Sequence, residues 1–459
     1  MLIAPGATNE ARLLVLASLA APTDEERAQL SAVVGGPLDW PRLFALAQTN
    51  ATAPLLYRRL AREGLLGAVP TGTRDDLVAV AATVAATNER RLVAAKELLE
   101  QLHRAGIDCV VLKGMLFGLE VYGDPGYKRM NDIDILVRLS DVPAVMEIYR
   151  GADMFSSSTV LGTDATPKPH RSHHLPSFVS KDGALVVGTH WGLITPLSPY
   201  TIDYAAIWSR VRPIDFYGSP AFAMSHEDNL HHLCVHLPYY KTGVRELADI
   251  WNLVRHAKGR LDLNLFRMEM EKAGSHNLVF HALSLANRLV PDEDITALAD
   301  SARTNADRWY RYDVARKTRD VHTLLQSRST HTSRIEKAYT EFNATSSAAE
   351  KLSAFTMLWS ALLAAPAAEA LKMSSLRDPS PIGRVGARIA APYRLTKVFQ
   401  RDLGRWLFFA ALLKTVVDLA AAGCGSLIKA NERRDTLDDF AARVGLKASE
   451  LRAILESQE

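Results

Sequence analysis

Apolar residues return every three or four positions through most of this chain, the spacing of a helix that buries one face. Between residues 9 and 105 the pattern runs through LLVLASLAA, WPRLFALAQ, APLLYRRLAREGLL and VAATNERRLVAAKELLEQLHRAG. Gly106 predicts the end of the last helix. The spacing then changes to IDCVVL, a β-branched run suited to a central strand, with Lys113-Gly114 directly after it and a helical segment, MLFGLEVY, next. A loop, GDPGYKRMN, leads to a second strand, IDILV, and to a helix over DVPAVMEIYRGADM. SFVSKDGALVVGTHW reads as a hairpin turning at Lys181-Asp182-Gly183. Helical spacing resumes at Ser225, and a Pro-, Gly- and Ser-containing link follows near 374–386. The pattern predicts a helical region over 1–105, an α/β core over 106–220, a second helical region over 221–330 and a third over 331–459. The class is α+β, predominantly α, with a small mixed sheet.

Composition narrows the function classes. In 459 residues, 48% hydrophobic content is ample for packed cores, and a formal charge of +3 from 54 basic and 51 acidic side chains predicts no polyanionic partner. Cys109, Cys234 and Cys424 lie far apart in apolar settings, as buried thiols in a reducing compartment do. The start, MLIAPGATNEARLL, lacks the charged and apolar pattern of a signal peptide, so a cytoplasmic location is expected. WLFFAALLKTVVDLAAAGCGSLI is interrupted by Lys414 and Asp418, which predicts a buried or partner-facing helix rather than a membrane span. The tail DDFAARVGLKASELRAIL has the outline of a helix-turn-helix bending at Gly445. Lys447 and Arg452 are offset there by Glu450 and Glu456, so a plain helical hairpin is expected and nucleic acid is not.

Candidate chemistry centres on KRMNDIDILV at 128–137. A strand has a side-chain period of two, so Asp132 and Asp134 point to one side and their like charges repel. A divalent cation would neutralise both, and such hard oxygen ligands suit Mg²⁺ or Mn²⁺ held jointly with substrate phosphates. The alternative is structural, with one aspartate capping the loop and the other paired with Lys128 or Arg129. Lys113-Gly114 opens a helix after a strand, where backbone N–H groups and the lysine can approach phosphate oxygens. HEDNLHHLCVH is not the H-E-x-x-H zinc pattern, because His226-Glu227 is followed by His231. His232 and His236, four apart, share a helix face, which would suit zinc or a phosphate contact, though a structural or substrate-lining role is favoured over a metal site. The alternative has Leu230, Leu233 and Leu237 entering the core with the histidines at its edge. His170, His173 and His174 lie in a polar loop.

The order of strand, Lys-Gly, helix, basic loop and Asp-Ile-Asp strand resembles the nucleotidyltransferase superfamily built on the DNA polymerase β fold. More closely it resembles bacterial nucleotidyltransferase family proteins, in which an LKG segment precedes R…DIDLLV; here these are VVLKG at 110–114 and RMNDIDILV at 129–137. DWPRLFALA, PLLYRRL, NERR, HWGL, SHEDNLHHLCVH and LADIWNLV extend the likeness over roughly residues 35–260. The resemblance implies metal-dependent transfer of a nucleoside monophosphate from an NTP to a small molecule, peptide or protein, with pyrophosphate released. It implies that Asp132 and Asp134 hold Mg²⁺ or Mn²⁺, that Lys113 and Gly114 contact the phosphates, and that Arg129 stabilises triphosphate charge. The chain departs from the pattern at LVVGTHW, where Gly188 stands in place of the third carboxylate, two residues before His190. His190 and Asp203 are the nearest substitutes in sequence. A carboxylate restored at 188 is expected to join the two aspartates, and a weakened nucleotide-binding protein of the same fold stays open as the alternative.

Overall fold

The computed structural model describes residues 3–325 apart from 157–168, 170–171, 195, 197–199 and 238–242. The link at 374–386, the apolar stretch with Lys414 and Asp418, Cys424 and the helix-turn-helix-like tail all lie outside the described residues, as does His170.

The N-terminal helices are α1 (Asn9–Ala17), α2 (Asp24–Val34), α3 (Trp40–Thr49), α4 (Ala53–Arg62) and α5 (Thr71–Arg104). Local chemistry sets their starts. Thr23 and Glu26 form a reciprocal capping box on α2, and the Asp39 carboxylate accepts from Arg42 N at 3.0 Å ahead of α3, with Pro41 in the first turn. The 34 residues of α5 extend about 51 Å at the usual helical rise. Gly106 follows its last turn at φ +71°, a conformation that favours glycine, and Ile107 N donates back to Leu102 O at 3.0 Å.

Seven strands make one mixed sheet: β1 (Val110–Val111), β2 (Ile133–Leu136), β3 (Phe155–Ser156), β4 (Phe178–Val179), β5 (Val186–His190), β6 (Arg212–Phe216) and β7 (Ser219–Ala223). Their spatial order is β3-β4-β5-β2-β1-β7-β6. β2 lies between β1, antiparallel, and β5, parallel, and β1 in turn pairs parallel with β7. Helices α6 (Lys113–Glu120), α7 (Val142–Gly151) and α8 (Tyr204–Arg210) join the strands. The β4–β5 hairpin turns through Gly183 at φ +68°, where the sequence placed it.

Helices α9 (His226–His236), α10 (Val244–His256), α11 (Leu263–Ala273), α12 (His276–Leu289), α13 (Glu293–Asn305), α14 (Arg308–Thr318) and α15 (Val321–Leu325) complete the described chain. The architecture is α+β and mostly helical. One apolar cluster joins its regions, running from Leu14 and Leu56 through Leu99 and Ile135 to Trp251 and Leu283. Asn252 ties α10 to the chain after α1, donating to Ser18 O at 2.8 Å and accepting from Ala20 N at 2.9 Å. No helix among the described residues is long and apolar enough to cross a membrane.

Candidate functional site

The turn from β1 into α6 builds the centre. Leu112 is extended and donates its N–H to Asp134 O at 3.0 Å, and Lys113 then adopts φ +48°, a left-handed conformation that costs a non-glycine residue roughly 1–2 kcal/mol. That bend sends the Lys113 side chain toward β2. Its Nζ donates to Asp134 Oδ2 at 2.8 Å and to His236 Nε2 at 3.2 Å. The other Asp134 oxygen accepts from His190 Nε2 at 3.0 Å. Burial by itself would raise the Asp134 pKa, but Lys113 and His190 outweigh it and hold the carboxyl well below the usual range.

Asp132 sits just before β2 and behaves oppositely. Its surroundings desolvate the carboxyl and the Asp134 charge repels its ionised form, so its pKa is raised, with Lys113 and Arg91 opposing. Solvent still reaches the residue, which limits the rise. Lys128 takes no part in the pair: it bonds to Asp249, which also accepts from Tyr122 Oη at 3.1 Å. Among the described residues, no three His, Cys, Asp or Glu side chains are arranged to hold a metal ion. What is present, two hard carboxylates in electrostatic conflict, suits a single Mg²⁺ or Mn²⁺ that completes its shell with phosphate oxygens.

Histidines surround Lys113. His190, on β5, is 8% exposed; burial pushes its pKa down, and Lys113 and His174 push the same way against Asp134. The His173 and His174 rings lie 5.6 and 5.2 Å from that of His190. On α9, His232 and His236 meet edge-on at 5.2 Å, and burial and Lys113 depress both pKa values strongly. On this helix Leu230 and Leu237 are buried and Leu233 half-buried, while His231 and His232 are buried beside them and His226 and His236 are half-buried. His231 reaches Ser275 Oγ at 2.7 Å.

Gly188 is paired in register with Asp134. A Cβ placed on it would come 2.6 Å from Asp134 Oδ1 and 3.4 Å from His190 Nε2. The space beside Gly188 is therefore filled by the Asp134 carboxylate itself. Asp203 is not a stand-in acid: it caps α8, accepting from Ala206 N at 3.0 Å.

Arg129 is exposed and lines a cleft of about 540 Å³ with Ala51, Thr83 and Thr87, between α3, α4 and α5. The loop that carries it is braced by Asn88 on α5, whose Nδ2 donates to Pro125 O and Lys128 O, both at 2.7 Å, and whose Oδ1 accepts from Met130 N at 3.2 Å. One helical turn further on, Arg91 lies within charge range of both Arg129 and Asp132. Sequence reasoning passed over Arg91, although its spacing from Asn88 in NERR is a same-face signal. Cys109 and Cys234 are free and buried, and burial pushes both thiols up, which makes them core residues.

A family model described as an uncharacterised nucleotidyltransferase matches residues 36–291, more than half of the chain. Neither a curated protein nor a solved structure matches it.

Proposed function

The chain belongs to this uncharacterised nucleotidyltransferase family, and on that premise we propose that it transfers a nucleoside monophosphate from an NTP to a hydroxyl- or phosphate-bearing acceptor, releasing pyrophosphate, at the Lys113–Asp134 centre. The observation that carries the reading is the meeting of Asp132, Asp134 and the Lys113 ammonium where a strand turns into a helix. Asp132 and Asp134 would hold Mg²⁺ or Mn²⁺, which when bound supplies Lewis-acid neutralisation of phosphate charge. Lys113 places a cation at the N-terminus of α6, whose first N–H groups have no side-chain cap, so together they would receive phosphate oxygens. His190 orients Asp134 through Oδ1, and neutral His236 accepts from Lys113 and fixes the ammonium. Arg129, at the end of the braced loop, meets the distal phosphates. The chemistry asked of the protein is positioning and charge stabilisation.

Gly188 favours a second reading, nucleotide binding with little turnover, because the third carboxylate that would help activate an acceptor hydroxyl is absent from that position. Release of pyrophosphate from each of the four NTPs, with Mg²⁺ and with Mn²⁺, separates the two. Metal-dependent release that disappears in Asp134→Asn supports transfer. Saturable NTP binding without release supports the second reading, and neither binding nor release refutes both.

A further inference from the structure

Arg91 carries a buried charge that the proposed transfer leaves without a role. It lies on α5, 5% exposed, and its Nε and Nη1 meet no hydrogen-bond acceptor among the described residues. Burial weakens its hold on its proton, as does repulsion from Arg129 and Arg90; among the described residues Asp132 is the charge that attracts it. An enclosed guanidinium with idle donors is costly to a fold. Such groups persist where something else supplies the acceptors.

The surroundings of Arg91 indicate what that is. Val80, Thr83 and Thr87 precede it on α5 at helical spacing, and these three line the cleft that Arg129 also borders. Asn88, on the same face, fastens the loop carrying Arg129 to this helix. Two guanidinium groups are thus held near each other by a braced loop and a long helix, although their charges repel. They adjoin Asp132, the first acid of the pair.

We propose that Arg91 and Arg129 form an oxyanion site that receives a phosphoryl group beside Asp132. A planar guanidinium matches two phosphoryl oxygens at once, and a dianion satisfies both cations together. The incoming phosphate replaces Asp132 as the counter-charge of Arg91 and leaves that carboxylate available to a cation. No bond is made or broken at the site. The inference rests on the proposed transfer only for the source of the phosphate, which is the distal phosphates of the NTP or a phosphate borne by the acceptor.

Pyrophosphate, titrated calorimetrically into the full chain in the presence of EDTA, tests the site without metal or turnover. Arg91→Gln is expected to lower its affinity at least about tenfold, the loss of a charge-assisted hydrogen bond, and Arg91→Lys to lower it less. Arg129→Gln, a change at the surface, is expected to lower it severalfold. Melting of Arg91→Gln at or above the parent temperature supports the site, because a buried unpaired charge has gone. Wild-type affinity in both glutamine variants, or no pyrophosphate binding by the parent, overturns the proposal, as does an Arg91→Gln chain that unfolds while Arg129→Gln binds normally. A saturating non-hydrolysable NTP tells the sources apart: exclusion of pyrophosphate assigns the site to the nucleotide, and simultaneous binding assigns it to the acceptor. If no NTP is ever turned over but Arg91→Gln still loses pyrophosphate, the site stands and the transfer reading fails.

Discussion

Two Asp–Lys–His clusters in this molecule place the same three side chains in different settings. Between α12 and α14, Asp313 Oδ2 accepts from Lys317 Nζ at 2.7 Å and lies 3.5 Å from His281 Nε2, while Lys317 lies 3.1 Å from His281. At the sheet, Asp134 accepts from Lys113 at 2.8 Å and from His190 at 3.0 Å. Both aspartates are held well below the usual carboxylate range although burial opposes it, so neither distance nor pKa separates the clusters. Their settings do. Asp313 and Lys317 are four apart on one helix with ordinary backbone, the arrangement of a structural ion pair. Lys113 reaches Asp134 through a left-handed turn at a helix N-terminus, beside a second carboxylate and near a guanidinium with idle donors. Strain and like-charge conflict are what single out the Lys113–Asp134 centre as the candidate site; an ion pair one helical turn apart on ordinary backbone is what packing alone explains.

The sharpest way to break this comparison is to neutralise each aspartate. Asp134→Asn is expected to cut pyrophosphate release at least about a hundredfold by removing a group aimed at transferred charge, while Asp313→Asn leaves release unchanged. Asp313→Asn should instead cost about 3–5 kcal/mol in urea unfolding, because the buried Lys317 ammonium loses its carboxylate counter-charge. The reverse assignment of effects would place the functional centre between α12 and α14.

Gly188 gives the next largest effect. The sequence suggested that a carboxylate restored there would strengthen the site, but a Cβ at 2.6 Å from Asp134 Oδ1 must first push that side chain off His190. Gly188→Ala is therefore expected to lower NTP or Mn²⁺ affinity severalfold, read by calorimetry, and Gly188→Glu to lower it further. A gain in affinity for either would show that Asp134 has another productive position. A smaller effect is expected of Lys113→Ala, about tenfold on triphosphate affinity and little on that of the nucleoside monophosphate. Equal weakening of both would remove Lys113 from the distal phosphates.

The smallest effect sharpens the contrast within the acid pair. A raised folded-state pKa, as at Asp132, means the folded chain binds that proton more firmly than the unfolded one. Its contribution to stability is present below the unfolded value of about 3.9 and fades as pH rises through the folded value of about 6. Asp134 and Asp313 have the opposite sign: their contribution is present above about 3.9 and is lost as pH falls. Asp132→Asn should thus flatten the decline between pH 4 and 6 by less than about 1 kcal/mol, given solvent screening at an exposed position. Urea denaturation across that range checks it, and a steeper decline in the variant contradicts the raised pKa.

What the amino-acid pattern decided was local. Repeating Ala and Leu set the helices; β-branched runs set β1, β2 and the β4–β5 hairpin, and the Lys113-Gly114 and Asp132–Asp134 motifs pointed to the candidate site, because each signal is carried by residues close in sequence. β6 and β7 escaped notice, since Pro213 and Pro220 weaken their strand pattern and β6 lies at the sheet edge, where proline is tolerated. Only the tertiary structure decided which charges meet. That Asp134 fills the space beside Gly188 depends on the register of β2 against β5, that Lys128 belongs to Asp249 depends on the packing of α10, and that Arg91 faces Asp132 depends on how α5 lies against a loop some forty residues away. Such pairings are set by chain crossing and burial, which no short stretch of sequence records.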